Sequence, residues 1–121
     1  MTLEMLYYLA TYWRILKRDD FPALYQRIRE QKAPSREWSA EAARAISAHL
    51  DNVCAFLPMP AACLLRSAVL TTVLRRRGTP AELVFGATRQ PFKGHAWVEL
   101  NGEVINDKPY VHDMYAIWDR I

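Results

Sequence analysis

The sequence is poor in the residues from which small exported or metal-bound domains are built. Two cysteines in 121 residues are too few to staple a secreted mini-protein, and they make no zinc site without histidine. The three histidines show no HxxxH spacing and the cysteines no CxxC spacing, so no metal site is expected. Only four residues are glycine, which excludes a collagen-like repeat. Long hydrophobic runs are missing as well. The most apolar stretch, Leu3 to Trp13, is interrupted by Glu4 and closed by Arg14, whereas a membrane span needs about 20 apolar residues. Its basic residues Arg14, Lys17 and Arg18 follow the apolar run, the reverse of a secretory signal. A reduced, cytoplasmic location is therefore the expectation. Charge of one sign is also scarce: 16 basic and 13 acidic side chains leave +3, a weak field for a nucleic-acid partner.

What remains is the composition of an ordinary globular chain, 51% apolar and 24% charged, and intrinsic disorder is excluded. The length suits a single domain over residues 1–121, burying roughly two-thirds of its unfolded surface. Apolar residues at helical spacing (Leu3, Leu6, Ala10, Trp13, Leu16) predict an amphipathic first helix. A second follows Asp19-Asp20, with Phe21, Leu24, Tyr25 and Ile28 on one face and Pro22 near its start. Gln31 to Arg36 reads as a linker. Ser39 caps a third helix with a stripe of Ala43, Ile46, Leu50 and Val53, and Pro58 and Pro60 stop it. From about Ala61 to Arg77 the chain is apolar on most sides, the pattern of a central helix. Arg75 to Arg77 read as its solvated basic end, and Gly78 as a left-handed terminator. Beyond Pro80 the pattern changes to strands, Ala81 to Gly86, Ala96 to Leu100 and Glu103 to Ile105, the last two joined by an Asn101-Gly102 hairpin turn. Helices first and an antiparallel sheet later make an α+β fold, with a helical part over 1–57 and a core over 58–121.

Three residues offer chemistry. Cys63 stands at the start of the central helix, where free N–H groups and the helix dipole favour an anion, so it is a candidate nucleophile. The Cys63 and Leu64 backbone amides there can donate to an oxyanion. The plain alternative is a small buried apolar residue. His95, at a strand start after a glycine-containing loop, is placed as a general base or as a solvated histidine. Asp107, at the end of the neighbouring strand, can orient His95 or simply make a turn. A two-residue turn at Asn101-Gly102 pairs Leu100 with Glu103 and sets His95 opposite Lys108, turning Asp107 to the other face. Contact between His95 and Asp107 therefore requires a bulge or bend in this hairpin. Trp97 shares the face of His95 and either lines a substrate cleft or packs. Arg66 and Ser67 either contact peptide or pack, and Cys54 reads as filler. In a nucleophile–base pair, Cys63 Sγ and a His95 nitrogen should lie within roughly 4 Å.

The segments Ala62-Cys63-Leu-Leu-Arg66-Ser67, Val73 to Gly78, Pro91-Phe-Lys-Gly-His95-Ala-Trp97-Val-Glu99 and Asn101 to Asp107 together resemble the maturation protease of lasso-peptide biosynthesis. The resemblance, from about Pro60 onward, is to the transglutaminase-like, papain-related half of the lasso-peptide B protein. It implies a transglutaminase-like cysteine protease fold that removes the leader from a ribosomally made precursor peptide. Cys63 would be nucleophile, His95 base and Asp107 its orienting partner, with no metal or organic cofactor. It further implies a separate leader-recognition protein as partner, and a macrolactam cyclase that takes up the freed core.

Two other readings compete with this one. A transglutaminase-like module could present the precursor without cutting it, although the retention of Cys63, His95 and Asp107 argues against that. Nucleic-acid binding through Arg75 to Arg77 lacks interleaved aromatics. The short chain is expected to depend on its recognition partner, with the first helix and Tyr7, Tyr8 and Tyr12 as the expected docking or self-association surface.

Overall fold

The computed structural model describes residues 1–31, 39–57, 63–89 and 92–121, with Arg89 described by its backbone only. The elements in chain order are α1 (Thr2–Arg18), α2 (Asp20–Arg29), α3 (Ala40–Ala55), α4 (Cys63–Arg76), β1 (Ala81–Arg89), β2 (Phe92–Leu100), β3 (Glu103–Val104), α5 (Val111–Met114) and β4 (Ala116–Arg120). The four strands form one antiparallel sheet in the order β3-β2-β1-β4. This is the α+β arrangement expected from the pattern.

Helix α4 organises the molecule. It is buried on nearly every side from Leu65 to Arg75, because it lies between the sheet and the other helices: β1 and β2 contact it, and so do α1, α2 and α3. Leu83, Phe85, Ala96, Val98 and Leu100 face it from the sheet in one continuous apolar cluster. Alternate strand residues face the other way. There Val84, Trp97, Val104 and Val111 form a smaller cluster with Tyr115.

Local signals are met closely. Ser39 Oγ accepts from the Ala42 amide at 3.1 Å and caps α3. At the end of α4, Gly78 is left-handed at φ 88°. The Gly78 amide donates to the Arg75 carbonyl and the Thr79 amide to that of Leu74, both at 3.0 Å, a Schellman closure. Asn101 and Gly102 both take positive φ, 52° and 81°, as a type I′ turn demands. The expected start of α4 at Ala61, the Pro58 and Pro60 stops, and residues 32–36 of the expected linker lie outside the described residues.

Three expectations need correction. The buried stripe of α1 is Met5, Leu9 and Tyr12, not the series beginning at Leu3, which is 82% exposed. Apolar residues surround this helix on most sides, so periodicity alone left two faces in competition. Packing against α4 selects the one whose Tyr12 hydroxyl reaches Thr72 Oγ1 at 2.6 Å. Tyr12 is thereby buried rather than part of a docking surface.

The arginine run is a solvated end only at Arg76, which is exposed. Arg75 is buried and donates to the carbonyls of Ile28 (2.8 Å), Ala81 (3.0 Å) and Ile121 (2.8 Å). Arg76 and Arg77 both pair with Glu4 of α1. Finally, the β1–β2 ladder runs on to Arg89 and Phe92, so His95 stands inside a strand opposite Gly86 rather than at its start. Strand β4, absent from the expected elements, covers the outer edge of β1. Among the described residues no helix is long and apolar enough to cross a membrane.

Candidate active site

Cys63 opens the described part of α4, half-buried, at the edge where α4 meets β2. His95 projects from β2. Its Nε2 lies 2.5 Å from Asp107 Oδ2, both side chains being 21% exposed. Asp107 Oδ1 accepts from the Lys108 amide at 2.7 Å, which holds the carboxylate in orientation. Asp107 thus engages one ring nitrogen and leaves Nδ1 as the one available to a nucleophile.

The imidazole is held from behind. Tyr115 lies against it at 4.9 Å and Trp97 at 5.7 Å between ring centroids. Trp97 is fully buried, so it supports the ring and does not line a cleft. Its indole N–H donates to Glu99 Oε2 at 2.7 Å, and Arg120 neutralises the other oxygen of this buried carboxylate at 2.7 Å. A glycine is required where these rings converge. A Cβ on Gly86 would sit 2.8 Å from Tyr115 Cβ and 2.9 Å from Trp97 Cη2.

Cys63 and His95 together line two cavities. The larger, of about 540 Å³, is apolar, and Phe21, Leu64, Phe85, Phe92 and Trp118 help to form it. The smaller, of about 230 Å³, is polar and includes Ser47, Asp51, Arg66, Ser67, Asn106 and Asp107. Cys63 carries a free thiol, and it shares both cavities with the His95 ring.

The hairpin resolves its parity problem by a bend, not a bulge. Pairing is regular through Leu100–Glu103 and Glu99–Val104, and the Ile105 amide still donates to the Val98 carbonyl at 2.9 Å. The reciprocal bond is replaced: the Val98 amide donates to the side-chain Oδ1 of Asn106 at 2.8 Å. The chain turns away there, and Asp107 comes round to His95.

The remaining candidate residues have structural partners. Ser67 is buried and donates to the Ala96 carbonyl at 3.2 Å, while Arg66 pairs with Asp51 at 3.3 Å. His49 meets Thr2 at 2.8 Å. Burial pushes the Cys54 thiol up, as suits a packing residue. No cluster among the described residues could hold a metal ion. Asn106, Tyr115 and Glu99 join the site without having been expected there; only the position of Asn106 directly before Asp107 offers a signal in the sequence.

The Transglutaminase-like superfamily model matches residues 5–118, which carries the likeness, read from Pro60 onward, into the helical half. The microcin J25-processing protein McjB of Escherichia coli is 44% identical over 55 residues, covering 46% of this chain and 26% of that protein. The matched stretch thus spans about a quarter of the relative's length. No solved structure matches the chain. With the family match covering nearly the whole chain, and a helix-borne cysteine beside a strand-borne histidine and an aspartate, the protein belongs to the transglutaminase-like superfamily.

Proposed function

We propose that the protein is a cysteine peptidase that removes the leader from a ribosomally made lasso-peptide precursor. The observation that carries this reading is the His95–Asp107 pair standing with Cys63 where an apolar and a polar cavity meet. Likeness to a microcin J25-processing protein supports the substrate class.

The chemistry is acyl transfer. Asp107 holds the proton of Nε2, so Nδ1 of His95 takes the Cys63 thiol proton. The thiolate attacks the carbonyl carbon of the scissile peptide bond, and the amides of Cys63 and Leu64 donate to the developing oxyanion. His95 then returns its proton to the leaving amine as the C–N bond breaks, leaving a thioester on Cys63. Water, deprotonated by His95, releases the leader acid and regenerates the thiol. Tyr115 and Trp97 hold the ring in the orientation both steps require. The peptide lies across the two cavities, an apolar side chain on one side of the cut bond and hydrogen-bonding groups on the other.

A separate leader-recognition protein supplies most of the leader affinity, and the freed amine passes to a macrolactam cyclase. The test is to incubate the protein, a recognition protein and a candidate precursor, and to follow peptide mass. Cleavage lost in a folded Cys63→Ala variant supports the reading; cleavage persisting in that variant overturns it. Unprocessed precursor that stays tightly bound would instead favour the presenting module.

A further inference from the structure

The geometry points to Asn106 as the positioning residue that makes the His95–Asp107 pair possible. This inference rests on the reading of Cys63, His95 and Asp107 as the reacting group. In a regular two-residue hairpin the Val98 amide bonds the Ile105 carbonyl, and each further residue keeps its face. Asp107 would then lie beside Ala96, on the side away from His95. Asn106 breaks the ladder at that step. Its Oδ1 takes the Val98 N–H at 2.8 Å in place of a backbone carbonyl. Its Nδ2 donates to Ser67 Oγ at 2.9 Å, and the same hydroxyl donates to the Ala96 carbonyl at 3.2 Å. A backbone N–H can only donate, so the orientation of the amide is unambiguous.

The amide therefore clamps three elements: β2 through Val98 and Ala96, α4 through Ser67, and the bend that carries Asp107. Ser67 stands one helical turn beyond Cys63 on the same face of α4. The clamp thus ties the helix bearing the thiol to the bend bearing the carboxylate. No other polar side chain type of this length supplies both an acceptor for Val98 and a donor for Ser67. Arg44 steadies the same end of the hairpin, donating to the Val104 carbonyl at 3.1 Å.

The consequence is specific. Asn106 acts on the chemical step through Asp107, so in kcat the two residues should behave as one unit. Two readouts test this: precursor cleavage, and the pH dependence of Cys63 alkylation by iodoacetamide, which needs no peptide. In Asn106→Ala, kcat should fall at least about tenfold, with a smaller change in KM because Asn106 also lines the polar cavity. Its alkylation profile should shift towards that of Asp107→Ala. The double variant should be no worse than Asp107→Ala alone. Asn106→Asp, which keeps the acceptor for Val98, should recover part of the loss.

Should Asn106→Ala fail to fold, Ser67→Ala removes one anchor and leaves the ladder bond, and should show a smaller change of the same kind. The inference is overturned if folded Asn106→Ala, or Ser67→Ala in its stead, keeps the wild-type profile. It is equally overturned if the Asn106 and Asp107 losses multiply in the double variant. A wild-type protein that cuts no precursor, yet shows an alkylation profile altered alike by both substitutions, would defeat the leader-peptidase reading and leave this inference standing.

Discussion

Nε2 of His95 and Oδ2 of Asp107 lie 2.5 Å apart, and this contact selects the imidazole tautomer. With the proton of Nε2 shared with a carboxylate, the lone pair is on Nδ1, where a base must carry it. The carboxylate also stabilises the imidazolium formed when the thiol is deprotonated. Because both side chains are mostly buried, screening by solvent is reduced and orientation is retained.

Asp107→Asn should therefore preserve the fold while lowering kcat by roughly 10³- to 10⁴-fold, the scale seen when a triad acid loses its charge and the wrong tautomer is favoured. Single-turnover cleavage of the precursor measures it. A loss below about threefold would mean that Asp107 only makes a turn.

Gly86→Ala should destabilise the protein by about 1–3 kcal/mol, since its Cβ meets Tyr115 and Trp97 below 3.0 Å. Thermal unfolding should fall by several degrees. Cleavage measured well below that transition should fall too, because the displaced rings are those that back His95. An unchanged melting temperature would contradict the described packing.

Gly94 is the contrasting case. It lines the apolar cavity, and a Cβ there would meet nothing within 4 Å. Gly94→Leu should fold normally yet narrow the cavity, raising KM for peptides with a bulky apolar residue beside the cut bond more than for those with alanine. An equal effect on both peptides would show that the substrate does not use this cavity.

Arg75→Leu takes a donor from three backbone carbonyls, although those of Ile28 and Ile121 keep the Gln31 and Leu83 amides. At about 1–3 kcal/mol for a buried hydrogen-bonding network of this kind that loses its donor, the loss should be about 1–3 kcal/mol, read as a lower denaturation midpoint at unchanged slope. A surface-like change of a few tenths would place Arg75 outside the core.

Glu4 sets an acid limit on the α1–α4 contact. Partial burial pushes its carboxyl up, but hydrogen bonds from Arg77 and Arg76 outweigh this and hold it below the ordinary value of 4.5. A group depressed on folding contributes fully above its unfolded value and loses that contribution as pH falls through its folded value. Wild-type stability should thus decline below about pH 5, and Glu4→Gln should show a shallower decline in that window. Parallel wild-type and variant curves would remove Glu4 from the acid response.

Features decided by neighbours in the chain are legible in the amino-acid sequence by itself. The Ser39 cap, the Gly78 terminator and the Asn101-Gly102 turn depend on backbone sterics and hydrogen bonds a few residues apart. The order of Cys63, His95 and Asp107 and the segments around them are likewise readable, and so is the need for the hairpin to bend. Tertiary packing decided the rest. It chose the Met5–Leu9–Tyr12 face of α1 from several apolar ones, turned Trp97 into a support for His95, and buried Arg75 among distant carbonyls. It also decided which side Asp107 takes, through an Asn106 amide whose partners are 8 and 39 residues away. Local patterns carry no record of such competition, because these partners lie far apart along the chain and meet only in the packed fold.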